Sequence, residues 1–246
     1  MSAKLPFQYE KKFEVLSFQI DPQGRIRLSA LADLMQEVAW KHADSRDFGK
    51  ALLEKGYVWV LSRFEIKIHH MPSWGDKIHV KTAGRGIDKL FALREFSITD
   101  ERGNEIAEAM SAWLLVDINT KRPQRPGNVL PAELFVSIDD SGLMPEKIVL
   151  DQNLDLIDSI KVRPFDLDMN NHVNNVSYIR WVEDVSLNIG FEIKQILINY
   201  IAEARLEENI DMYLKRTVES ILFSGRNVGK QVFNARLVGN WSSKKD

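Results

Sequence analysis

Hydrophobic and polar positions along this chain change from a helical to an alternating period, and they do so twice in the same order. Leu31, Leu34, Met35 and Val38 recur on one face of a segment that predicts a helix, N-capped by Ser29 and running to about Asp44. Segments rich in β-formers follow at residues 57–69, 76–82, 90–99 and 105–118. Asp100-Glu-Arg-Gly103-Asn104 between the last two reads as a hairpin turn. The second half restarts with a helix capped by Asn174 or Asn175, whose apolar face is Tyr178, Trp181, Val182, Val185 and Ile189. Strands are then expected at 195–206, 209–224 and 231–241, with Gly225-Arg-Asn-Val-Gly229-Lys as a hairpin loop.

The repeat holds residue by residue. Setting Asp21-Pro-Gln-Gly-Arg25 on Asp168-Met-Asn-Asn-His172 brings Val38 onto Val185, and Trp74-Gly-Asp-Lys-Ile78 then falls on Leu206-Glu-Glu-Asn-Ile210. The first half needs about fifteen more residues between helix and sheet, roughly 46–56. Residues 119–157 between the halves are proline-rich and polar, as a surface connector would be. A helix followed by antiparallel strands, twice over, predicts an α+β architecture with each helix laid across a curved sheet. Pairing the two halves edge to edge would protect part of the sheet edges.

Composition narrows the function only slightly. The 246 residues are 44% hydrophobic and 28% charged, with a formal net charge of -2, an ordinary globular balance without whole-chain attraction to nucleic acid or anionic lipid. There is no cysteine, which removes disulfides, thiolate metal sites and a cysteine nucleophile. The opening Met1-Ser-Ala-Lys-Leu-Pro leads into charged sequence, so no secretory signal is expected, and no apolar run is long enough to span a bilayer. A cytoplasmic location is the expectation. Gly-rich phosphate loops, a Gly-x-Ser-x-Gly elbow and paired-histidine zinc motifs are missing.

The chemistry concentrates before the second helix. Asp168, Asn170 and His172 occupy alternate positions, so in an extended segment all three project to one side. The helix start beyond them offers free N–H groups to developing negative charge. Singly, Asx residues build turns and a lone histidine is commonly a satisfied polar group; three together before a cap point to a site. Glu203 follows on the expected 195–206 strand, sharing a face with Leu197, Asn199, Ile201 and Arg205. Apolar neighbours there would raise its proton affinity and improve it as a general base; the plainer reading pairs it with Arg205. In the repeat, Met71 stands at the position of Glu203, Gln23 at that of Asn170, and Arg25 at that of His172. One half keeps the reactive groups and the other keeps only the scaffold.

Arg163-Pro-Phe-Asp166-Leu-Asp168-Met-Asn170-Asn-His172-Val-Asn-Asn-Val-Ser-Tyr178-Ile-Arg-Trp181 closely resembles the active-site segment of the plant and bacterial fatty acyl-ACP thioesterases. The resemblance continues through Met35-Gln-Glu-Val-Ala-Trp-Lys-His42, Val58-Trp-Val-Leu-Ser-Arg63, Pro72-Ser-Trp-Gly-Asp76 and Tyr200-Ile-Ala-Glu203, covering nearly the whole chain in order. It implies a tandem (double) hot-dog fold: an N-terminal, acyl-chain-binding hot-dog over 1–135, a connector over 136–157, and a C-terminal, catalytic hot-dog over 158–246. It also implies hydrolysis of fatty acyl-acyl carrier protein (ACP) to free fatty acid and ACP. Asp168, Asn170 and His172 fall on the family's Asp-x-Asn-x-His positions, and Glu203 on the glutamate of its Glu-Cys pair. The cysteine of that pair is Ala204 here, so a thiol takes no part.

The expected mechanism needs no metal and no cofactor. Glu203, with His172, activates water; the Asn170 amide and the helix-start N–H groups hold the thioester oxygen; Asp168 orients the loop. The acyl tail is expected along Met35, Val38 and Ala39 of the first helix, with Trp59 nearby, a stripe that plain core packing explains equally well. The expected partner is the acidic carrier, met by a basic surface at Lys121, Arg122 and Arg125 or at Arg180, with no nucleic-acid or membrane partner. Hot-dog proteins often associate through their sheets, so a homodimer is a further expectation. Rival readings are a hot-dog acyl-CoA thioesterase, a non-catalytic acyl-binding protein, and a hot-dog hydratase. The last usually carries a proline in this loop and its histidine one position later.

Overall fold

The computed structural model describes residues 6–130, 144–150, 153–218 and 220–241; the connector expected at 136–157 lies partly outside the described residues. The chain divides into two compact units, Met1–Ser62 with Ile68–Pro145, and Arg63–Lys67 with Glu146–Asp246.

The first unit contains β1 (Tyr9–Glu14), the long helix α1 (Leu28–Asp44), the short α2 (Lys50–Glu54), β2 (Tyr57–Ile68), β3 (Lys77–Asp88), β4 (Phe91–Asp100), β5 (Glu105–Asp117), β6 (Pro123–Gln124) and α3 (Pro126–Val129). Its strands lie in the order β1-β3-β4-β5-β2, with β6 beside β5. The second unit contains β7 (Asp155–Lys161), α4 (Asn175–Asn188), β8 (Phe191–Tyr200), β9 (Asn209–Arg216), β10 (Ser220–Asn227) and β11 (Lys230–Trp241). Its order is β7-β9-β10-β11-β8, and the Arg63–Lys67 stretch of β2 pairs antiparallel with β8. Replacing each strand by its repeat partner converts one order into the other. The duplication seen in the sequence is therefore a duplication of topology.

In the first unit Leu28, Leu31, Ala32, Met35, Val38, Ala39 and His42 form the buried stripe of α1. Ile78, Val80 and Thr82 on β3 and Phe96 and Ile98 on β4 are buried as well. Each fully buried Leu, Ile or Met contributes roughly 1.5–3 kcal/mol, so this helix stays on its sheet through packing. The N-cap expectation at Ser29 is corrected: Arg27 takes the cap position, without a side-chain cap bond, and Ser29 is a buried second helical residue. Burial of Leu28 drew the helix start two residues earlier. In the second unit Asn174 is the cap, accepting a hydrogen bond from the Val176 N–H at 3.0 Å.

Several strand boundaries also move. The expected 209–224 strand is two strands, because Thr217 and Ser220 lock a reversal through Thr217 N–H to Ser220 O (2.8 Å) and Ser220 N–H to Thr217 Oγ1 (2.9 Å). Gly225 belongs to β10 and not to the loop, and a Cβ there would lie 2.1 Å from a ring carbon of Phe233. The turn is only Val228-Gly229, both at positive φ. β8 ends at Tyr200, short of the expected 206. Strands β1 and β7 had no expectation. Both are edge strands with mostly exposed side chains, so neither carries a buried-face alternation to read.

Candidate active site

The segment Asp168–His172 is a tight turn, which corrects the extended geometry expected from alternate spacing. Asp168 Oδ1 accepts the N–H groups of Asn170 (2.8 Å) and His172 (3.2 Å), and the Asp168 N–H reaches His172 O (2.8 Å). Asn171 sits at φ 59°, in the left-handed region that asparagine tolerates. The Asn170 side-chain amide donates to Asp168 Oδ2 at 3.2 Å. Asp168 is thus the internal brace of the loop; Asn170 and His172 are the groups it presents.

The first unit repeats this scaffold bond for bond. Asp21 Oδ1 accepts the N–H groups of Gln23 (2.8 Å) and Arg25 (3.0 Å), and the Asp21 N–H reaches Arg25 O (2.7 Å). Beyond each turn a longer-range bond fixes the partner loop: Ile26 N–H to Pro72 O in one unit, Val173 N–H to Ala204 O in the other, both 2.9 Å. Pro72 and Ala204 are therefore equivalent, and so are Met71 and Glu203 just before them. The same backbone bonds carry different chemistry.

In the second unit that chemistry closes. His172 Nε2 lies 3.1 Å from Glu203 Oε2. The two residues are far apart in sequence, and the Val173–Ala204 bond is what delivers them to each other. Burial of Glu203 is not observed: it lies in the loop after β8, and its side chain is 56% exposed. The chain leaves the sheet at Tyr200, so the strand face on which its desolvation was argued does not reach residue 203. What singles it out is the histidine contact. Arg205 Nη2, expected as a paired partner, stands 4.0 Å away.

The start of α4 offers fewer donors than expected. Asn174 takes the Val176 N–H with its side chain and the Ser177 N–H with its own carbonyl (2.9 Å). Of the first three N–H groups, that of Asn175 is the one these bonds leave unused, with the helix dipole behind it.

Three supporting residues were not anticipated. Asp166 is buried; its carboxylate takes the Arg163 N–H (2.8 Å) and Arg180 Nη2 (2.9 Å), and its carbonyl takes the Asn174 N–H (2.8 Å) and the Ser177 hydroxyl (3.0 Å). It ties the turn to α4. The Tyr178 hydroxyl oxygen receives the Ala204 backbone N–H, and burial raises that hydroxyl above its ordinary range, Glu208, Glu203 and Asp168 adding to the effect. Tyr200 donates to Asn175 O at 3.1 Å, and burial raises its hydroxyl too. Asp166 had a sequence signal, lying two residues before Asp168 in the quoted motif. Tyr178 was expected only on the apolar face of its helix, and Tyr200 carried no expected role.

Met35, Val38 and Ala39 are buried on α1 in the first unit. Trp59 is half-buried there against Leu52, Leu115 and Leu130, its indole N–H donating to Phe48 O at 3.0 Å. Lys121, Arg122 and Arg125 are exposed in the turn after β5 and the short segment that follows it. Among the described residues no group of three His, Cys, Asp or Glu could hold a metal ion, and no helix is long and apolar enough to cross a membrane.

Two family models match the chain: the acyl-ACP thioesterase N-terminal domain over residues 6–131 and the acyl-ACP thioesterase C-terminal domain over 151–236. Among curated relatives, oleoyl-acyl carrier protein thioesterase 2 of Arabidopsis thaliana chloroplasts is 28% identical over 227 residues. That match takes in 83% of this chain but 62% of the plant protein, so the chain spans less than two thirds of its length. Among solved structures, an acyl-ACP thioesterase from Bacteroides thetaiotaomicron superposes with a TM-score of 0.84 at 25% identity, covering 94% of this chain and 97% of that one. The 12:0-ACP thioesterase of Umbellularia californica shares the fold, with a TM-score of 0.80 at 22% identity over 95% and 97% of the two chains.

Proposed function

This chain belongs to the acyl-ACP thioesterase family, with a double hot-dog α+β fold, and on that premise we propose that it hydrolyses fatty acyl-ACP to free fatty acid and ACP. The observation that carries the reading is the 3.1 Å contact between His172 and Glu203. It stands on a loop scaffold whose copy in the first unit holds Arg25 and Met71 instead, groups unable to share a proton in this way. Retention of the pair in one copy favours catalysis over passive acyl binding.

In the proposed reaction a water held against the Glu203–His172 pair attacks the thioester carbon, and its proton passes to the pair. The carbonyl oxygen gains charge beside the Asn170 amide and the Asn175 N–H. Collapse of the tetrahedral species breaks the C–S bond, and the proton returns from His172 to the departing thiolate. Asp168 and Asp166 keep the loop and helix start in position throughout. The acyl chain is assigned to the first unit along the α1 face of Met35, Val38 and Ala39, with Trp59 beside it.

Glu203→Gln and His172→Ala test this directly. Each should lower release of fatty acid from acyl-ACP by about 10²- to 10⁴-fold, the usual contribution of a positioned general base, with the thermal midpoint unchanged. Undiminished release by both variants, measured by mass spectrometry over a panel of acyl-ACPs, would refute the assignment.

A further inference from the structure

Glu203 sits in an exposed loop, so something other than burial must hold its carboxylate at His172. The internal duplication shows what does, because the first unit keeps the same backbone without the reactive pair. The two long helices correspond from their first residues, Leu28 of α1 with Asn175 of α4, which sets Leu31 against Tyr178. The strand ends correspond as well. His69 N–H and His70 N–H both reach Ile106 O (2.9 and 3.3 Å), as Ile201 N–H and Ala202 N–H both reach Val232 O (2.8 and 3.0 Å). Ile68 is therefore the counterpart of Tyr200, as Pro72 is of Ala204.

Two apolar positions of the first unit thus carry hydroxyls in the second. Leu31 and Ile68 are buried, and the fold is content with hydrocarbon at both. In the second unit the Tyr178 hydroxyl accepts the Ala204 N–H. Both halves of that contact are missing together in the first unit: leucine has no acceptor, and proline has no N–H to satisfy. The copies solve one problem in two ways. The ring of Pro72 fixes φ directly after Met71. Ala204 keeps its rotational freedom, and as a fully buried residue it must find an acceptor for its N–H.

That N–H lies in the planar peptide group joining Glu203 to Ala204, so the bond to Tyr178 sets the plane from which Glu203 departs. On its other side Ala204 O takes the Val173 N–H at 2.9 Å, which ties the same residue to the catalytic turn. The Tyr178 ring is itself held, with Phe233, Trp181 and Tyr200 at centroid distances of 5.0, 5.1 and 5.8 Å. Tyr200 closes the arrangement by donating to Asn175 O at the start of α4.

We propose that Tyr178 is a positioning residue for the hydrolysis, holding the Glu203–Ala204 peptide so that the Glu203 carboxylate stays against His172. The proposal rests on the thioesterase reading and adds the group that sets its geometry. Tyr178 acts through Ala204 and not on the substrate.

Tyr178→Phe keeps the ring and removes the acceptor. Exchange of the Ala204 amide, followed by NMR, should quicken about tenfold. On acyl-ACP, kcat should fall about tenfold with KM unchanged, as expected when a reacting group is misplaced. Adding Ala204→Pro copies the first unit's solution, with Glu203 before the proline as Met71 is before Pro72. Ala204→Pro alone presses a proline ring on the hydroxyl and should lose about tenfold in kcat, whereas the double variant should return to within about threefold of wild type. A tyrosine that served only core packing would give no such recovery. Losses that multiply in the double variant would overturn the proposal, as would unchanged exchange or full kcat in Tyr178→Phe. Wild-type protein that cleaves no acyl-ACP, with the exchange difference present, would instead defeat the thioesterase reading beneath it.

Discussion

Acidification should destabilise the first unit through one buried histidine. His42 ends the buried stripe of α1 at 3% exposure, its ring stacked on Tyr9 and edge-on to Phe48. Its Nδ1 is 3.0 Å from Arg94 Nη1, which also donates to Thr82 Oγ1 at 3.2 Å. A guanidinium only donates, so Nδ1 must carry a lone pair and the ring must be neutral. Burial, then the charge of Arg94, then that of Arg46, pushes His42 from 6.5 down to about 4; burial likewise pulls Arg94 to about 10. The folded protein therefore refuses a proton that the unfolded chain accepts from pH 6.5 downwards. Stability is complete above pH 6.5, falls between 6.5 and about 4, and levels off below. Each pH unit inside that window costs about 1.4 kcal/mol, so the loss approaches roughly 3 kcal/mol, a large share of the 5–15 kcal/mol typical of a domain. Urea midpoints of the wild type and of His42→Gln, which can still accept from Arg94 but cannot titrate, isolate the effect because other carboxylates cancel in the difference. The wild-type curve should fall away from the variant between pH 6.5 and 4. Parallel curves across that range would refute the reasoning.

Two further expectations concern stability. Asn174→Ala removes the side-chain cap on the Val176 N–H and should cost about 1 kcal/mol, visible as a lower thermal midpoint, with activity falling as well because the cap also sets the helix start beside His172. Gly239→Ala should be worse: the added Cβ would lie 2.0 Å from the Glu192 carbonyl oxygen across the β8–β11 pairing. Backbone must move to make room, so a loss at the upper end of the 1–3 kcal/mol typical of overpacking is expected, read as a shifted urea midpoint. An unshifted midpoint for Gly239→Ala would mean that the strands slide freely there.

What could be read from the sequence alone was whatever depends on neighbours a few residues away. Both long helices, the hairpins and the duplication were legible because their periods and turn residues act over short spans. Asp168, Asn170 and His172 were legible for the same reason: the carboxylate that builds their loop reaches only two and four residues along the chain. Even the equivalence of Met71 with Glu203 followed from counting, and the matched bonds at Pro72 and Ala204 agree with it.

Tertiary structure decided how those residues are used. The alternate spacing of the three polar groups suggested an extended segment, whereas backbone N–H groups turned toward Asp168 make it a tight loop. Glu203 was expected in an apolar setting; the early end of β8 leaves it in the open, and what singles it out is the contact with His172. Edge strands β1 and β7, the Asp166 brace and the His42–Arg94 pair escaped the sequence reading because each depends on partners brought together from distant segments. Periodicity reports which face a residue occupies. Which distant group meets it there is settled only when the sheets close and the loops between their strands are tied to one another.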